Sequence, residues 1–137
     1  MRLLIIDYAG DYREVYHKIQ KGEVETYHSH KYVINTVTKI SQQIDELALV
    51  CCNSKQVYNE KIAPNLRVIA GGIEPYQNPS KVIEIIEAQQ PTHLIIRFPI
   101  KNLFHWGIEH QVKIMGLFAD SFVPRGLKSQ IKHYSWN

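Results

Sequence analysis

Five continuous apolar runs separated by amphipathic segments predict an α/β protein: a three-layer α/β/α, Rossmann-like domain with a parallel sheet of five or more strands. The runs occupy residues 3–6, 47–50, 66–69, 93–96 and 112–118. They are mostly unbroken rather than alternating, as strands covered on both faces are. The segments between them carry apolar residues at helical spacing, and Gly71-Gly72, Pro91 and similar breakers punctuate the change from one to the other.

The first strand ends at Asp7. A connection of about twenty residues follows, against a usual βα loop of roughly 2–6, and residues 12–19 within it suit a short helix with Val15 and Ile19 on one face. A long helix is expected over 29–46, with Val33, Val37, Ile40 and Ile44 in one stripe and Ser29 as its N-cap. After the second strand, Asn53-Ser54 is read as opening a short helix to about residue 62, ended by Pro64-Asn65. The third strand stops at Gly71-Gly72, which mark a tight turn. Pro79-Ser80 opens a helix with Val82, Ile83 and Ile86 inward and Glu84 and Glu87 outward, and Pro91 stops it. A helix over 101–110 links the last two strands. Pro124 opens a final helix, where Leu127, Ile131 and Tyr134 share a stripe.

A chain of 137 residues, 45% hydrophobic and 21% charged, suits one domain, 1–137, of an ordinary globular protein. No apolar run reaches the roughly 18–20 residues that span a bilayer, and the apolar start is too short for a secretion signal, so a cytoplasmic location is expected. Cys51 and Cys52 are adjacent, a spacing that strains a disulfide and matches no metal motif; buried thiols are the expectation. The net charge of +3 comes from the end of the chain, where Arg125, Lys128 and Lys132 follow the last acid, Asp120. Three scattered cations without interleaved aromatics do not make a nucleic-acid surface. Beside the apolar stripe of the final helix they allow at most weak contact with a membrane surface, although packing on the sheet is the expected role of that helix.

Parallel sheets keep their chemistry at the carboxyl ends of the strands. Asp7, Cys52-Asn53, Gly71-Gly72, Arg97-Phe98 and Asp120-Ser121 fall there. Asp7 suits a bound hydroxyl, a Mg²⁺-held phosphate or a simple cap. Arg97 suits a phosphate or carboxylate, and equally an ion pair with Asp7 or Asp120. Asp120 and Ser121 suit sugar hydroxyls, or a turn. Tyr27, His28 and His30 lie at the entrance of the first long helix, whose positive end favours an anion. Residues two apart on a helix point about 200° apart, so the two histidines make a poor metal pair. No phosphate-binding glycine loop, nucleophile elbow or cofactor motif is present, and neither a metal nor a cofactor is expected.

Taken together, several of these pieces resemble the amino-terminal domain of a GT-B fold glycosyltransferase of the retaining type. They are the opening strand Arg2-Leu3-Leu4-Ile5-Ile6, the long helix after its loop, the strands at 47–51 and 67–69, the element Gln90-Pro91-Thr92-His93-Leu94-Ile95-Ile96, and the strand at 112–118. The resemblance spans nearly the whole chain as pattern. It implies an acceptor-side domain, with Asp120 as the candidate catalytic carboxylate and with Asp7, Gly10, Tyr27, His28, His30, Arg97 and Ser121 binding the acceptor, a sugar or lipid-linked saccharide. It also implies a carboxyl-terminal domain or partner chain that binds the nucleotide-sugar, without which this chain transfers nothing. Two departures stand out: the family's Gly-Gly pair after the first strand is reduced here to Gly10, and Ala119-Asp120-Ser121 stands where the family has a histidine. The alternative expectation is a stand-alone Rossmann-like binding or interaction module without catalysis.

Overall fold

The computed structural model describes residues 1–7, 10–23, 28–74, 77–97 and 100–117. They form a mixed α/β fold of six strands and four helices: β1 (Arg2–Asp7), α1 (Tyr12–Gln20), α2 (His28–Ser41), β2 (Glu46–Cys51), β3 (Tyr58–Ala63), β4 (Leu66–Ala70), α3 (Pro79–Gln89), β5 (His93–Ile96), α4 (Lys101–Glu109) and β6 (Lys113–Gly116). The strands make one sheet in the order β3-β4-β2-β1-β5-β6. Five are mutually parallel, and β3 pairs antiparallel with β4 at one edge.

Alternation along the strands divides the core in two. Leu4, Ile6, Ala48, Val50, Leu94 and Ile96 join Val82 and Ile86 of α3 and Leu103 and Trp106 of α4. Leu3, Ile5, Leu47, Leu49 and Val68 join Tyr12 and Val15 of α1 and Ile34 and Val37 of α2. Unbroken apolar runs are therefore required: both sets of side chains, odd and even, are buried. At the amino ends of the strands Arg2 is a staple. Its guanidinium bonds the Gln89 and Gln90 carbonyls at 2.6 and 3.1 Å and pairs with Glu46 at 3.0 Å.

The expected helix over 53–62 is a strand. From Tyr58 to Ile62, half-buried and exposed residues alternate, and Pro64-Asn65 is the two-residue turn of a hairpin into β4, not a helix stop. The period of two, with Val57, Tyr58 and Ile62 as strand formers, outweighs the isolated helix signal of Asn53-Ser54. The sheet is thus parallel except at this edge. Asn65 fixes the turn by donating to the Ser41 and Ile44 carbonyls at 3.3 and 3.4 Å.

The helix expected over 29–46 runs from His28 to Ser41, so Ser29 lies inside it rather than at its cap. The short helix in the first connection is present as α1, capped by Asp11, whose carboxylate accepts from the Glu14 amide at 3.0 Å. Pro79 starts α3, and Gln90 ends it in the left-handed region (φ 49°) ahead of Pro91. Among the described residues no helix is long and apolar enough to cross a membrane. The final helix anticipated after Pro124 falls outside the described residues.

Candidate functional site at the carboxyl edge of the sheet

The chain builds β1, β2 and β4 outward in one direction, then returns to lay β5 and β6 on the other side of β1. The order therefore reverses between β1 and β5, and in open α/β sheets ligands bind in the crevice at the carboxyl ends beside such a reversal. Asp7 ends β1 and Arg97 follows β5 directly. The Arg97 amide continues the ladder by donating to the Ile6 carbonyl at 3.1 Å. That bond holds the two side chains on neighbouring strand ends.

Arg97 Nη1 lies 3.8 Å from Asp7 Oδ2, with the arginine side chain 35% and the carboxylate 15% exposed. The same carboxylate oxygen accepts a hydrogen bond from the Tyr12 hydroxyl at the start of α1. Tyr12 is only 2% exposed. Burial, and next the negative charge of Asp7, push its phenol far above the ordinary tyrosine range, so it stays a donor. Its ring meets that of His30 edge-on, with centroids 5.3 Å apart. Gly10 sits against both. At φ +144° it occupies a region that side chains avoid, and a Cβ there would lie 3.2 Å from His30 Nε2 and 3.3 Å from the Tyr12 ring.

Asp7, Gly10, His30 and Arg97 are thus brought together, and Tyr12 belongs with them. Sequence reading missed it because a tyrosine in the first turn of an amphipathic helix looks like core. Its place five residues after Asp7, in the connection that carries Gly10, was the available signal. Tyr27, Asp120 and Ser121 lie outside the described residues, as does the side chain of His28.

A second cluster flanks the first. The Tyr58 hydroxyl donates to Asp11 Oδ1 at 2.8 Å and accepts from the Arg13 amide at 3.3 Å, while the Arg13 guanidinium lies over the Tyr58 ring at 4.1 Å and bonds Gln56 at 2.8 Å. This clasp ties α1 to the edge strand. It leaves a cleft of about 340 Å³ between Gly10, Asp11 and Glu14 on one side and Asn53, Lys55 and Gln56 on the other.

The thiols are not part of an open site. Cys51 and Cys52 are both buried and unbonded to each other, and they point to opposite faces of the sheet. Burial pushes each up to about 12, with Asp7 adding to the shift of Cys51 and Cys51 to that of Cys52. Neither is a thiolate nucleophile at neutral pH. Among the described residues no three His, Cys, Asp or Glu side chains are gathered as metal ligands.

The edge therefore offers a carboxylate held by a buried phenol, a half-exposed guanidinium beside it and an adjoining polar cleft. Such an arrangement can recognise hydroxyls and anions; within the described residues it includes no activated nucleophile. No family model matches the chain, and no curated protein or solved structure matches it either.

Proposed function

We propose that this chain is the acceptor-side domain of a GT-B type sugar transferase, a three-layer Rossmann-like unit whose carboxyl edge binds the acceptor. The nucleotide-sugar is bound by a further domain or partner chain. The observation that carries this reading is the meeting of Asp7 and Arg97 at the reversal of strand order, with Gly10, Tyr12 and His30 packed beneath them. A sugar acceptor needs hydroxyl recognition by a fixed carboxylate, and Asp7 supplies an acceptor whose orientation is set by a buried donor. The connection between β1 and α2 supports the same reading, since it brings Gly10 and Tyr12 to this edge. In this reading Asp120 is the catalytic carboxylate and Ser121 a further acceptor-binding residue.

The test is amide-resolved NMR titration of the chain with neutral hexoses and, separately, with uridine and guanosine diphosphate-sugars. Shifts at Gly10, Tyr12 and Arg97 with a hexose, weakened by Asp7→Asn, and no saturable response to the nucleotide-sugars are expected. Saturable nucleotide-sugar binding by this chain alone would overturn the division of labour. No hexose response at all would favour a binding module of another kind.

A further inference from the structure

Arg97 has more donor capacity than its surroundings use. Its guanidinium carries five N–H donors. Among the described residues its side chain has one partner, Asp7 Oδ2 at 3.8 Å, beyond hydrogen-bond range and on an oxygen that already accepts from Tyr12. Two other arginines are bound more closely. Arg2 makes contacts of 2.6, 3.0 and 3.1 Å, and Arg13 bonds Gln56 at 2.8 Å. Arg97 is therefore held near the crevice by charge without being saturated, and it stays 35% exposed.

We infer that the ligand of this edge is an anionic sugar, carrying a phosphate or carboxylate beside its hydroxyls. The anion would lie on Arg97 and a hydroxyl would donate to Asp7. This rests on the acceptor-side reading and narrows it. A neutral sugar would leave the guanidinium donors facing water. An oxyanion takes two of them in the planar fork that arginine presents and lysine does not. Asp7 beside it repels an anion placed too deep, so the charged group is directed to the Arg97 side and the neutral hydroxyl to the carboxylate.

The experiment titrates the whole chain with D-glucose, D-galactose and D-mannose, with their 6-phosphates and uronic acids, and with inorganic phosphate and uridine diphosphate glucose. Binding is read by NMR shifts and calorimetry at low salt. At least one anionic sugar should bind tenfold or more tighter than its neutral parent. Arg97→Ala should abolish that advantage, weakening the anionic sugar roughly 10- to 100-fold more than its neutral parent. Arg97→Lys, which keeps the charge, should restore only part of it. Phosphates gaining over uronic acids would identify the anion as phosphate, and the reverse as carboxylate.

Equal binding of neutral and anionic sugars, or an advantage that survives Arg97→Ala, overturns this inference and leaves the acceptor-side reading standing. Inorganic phosphate binding as tightly as the sugar phosphates would overturn it as well, because the hydroxyl half would contribute nothing. So would Arg97-dependent binding of uridine diphosphate glucose. Failure of every sugar to bind overturns both readings together.

Discussion

Replacing Gly107 with alanine should destabilise the domain although it improves the helix. Gly107 lies in α4 where the helix crosses β6, and a Cβ there would fall 1.9 Å from Ile114 Cδ1 and 2.6 Å from Ile114 Cγ1. Turning the terminal methyl clears only the first contact. The second sits next to the Ile114 Cβ, so the side chain must leave its rotamer or β6 must move away from α4. Overpacking of this kind costs about 1–3 kcal/mol, whereas Gly to Ala in a helix gains about 1 kcal/mol. The net expectation is a loss of up to about 2 kcal/mol, read from urea unfolding followed by circular dichroism with an unchanged slope. The diagnostic step is the double variant. Ile114→Ala alone should cost about 2 kcal/mol by removing a partly buried side chain. In that background Gly107→Ala should change sign and stabilise, since only the helix gain remains. A Gly107→Ala protein more stable than the parent, or the same effect in both backgrounds, would refute the close approach of α4 and β6.

Three further outcomes are expected. Tyr12→Phe keeps the buried ring but deletes the donor to Asp7, and should cost about 1.5–3 kcal/mol in the same unfolding assay; no loss would mean that the phenol does not hold the carboxylate. Gly10→Ala places a side chain at φ +144° against His30 and Tyr12, so a loss of about 1–3 kcal/mol and a displaced His30 ring resonance should follow. The thiols set an alkaline limit: Cys51 and Cys52 are each raised in the folded state to about 12. The unfolded chain therefore releases these protons first, and stability is whole below the ordinary thiol value of roughly 8.5 and falls above it, by at most about 1.4 kcal/mol per thiol per pH unit. Urea midpoints at pH 8 and pH 10 should show the fall, a Cys51→Ala/Cys52→Ala protein should show less of it, and in the native state neither thiol should react with a disulfide reagent at pH 8.

The sequence by itself determined the elements whose signal is local. The unbroken runs at 3–6 and 47–50 require strands buried on both faces, and Pro79 and Pro91 bracket α3, because burial periodicity and backbone breakers act over a few residues. The same locality explains the error at β3. The stretch 53–62, with Val57, Tyr58 and Ile62 as strand formers and an Asn-Ser start, is ambiguous alone, and only pairing with β4 through the Pro64-Asn65 turn decides between strand and helix. Asp7, Gly10, His30 and Arg97 could be chosen as candidates because each lies just after a strand or at a helix entrance. That Asp7 and Arg97 meet was decided by tertiary structure, through β5 pairing with β1 rather than with β4, its predecessor among the strands. Tyr12 joined them because burying its ring against the sheet carries the phenol to the carboxylate. Strand order is a competition among long-range pairings that no local window contains, and it created the crevice.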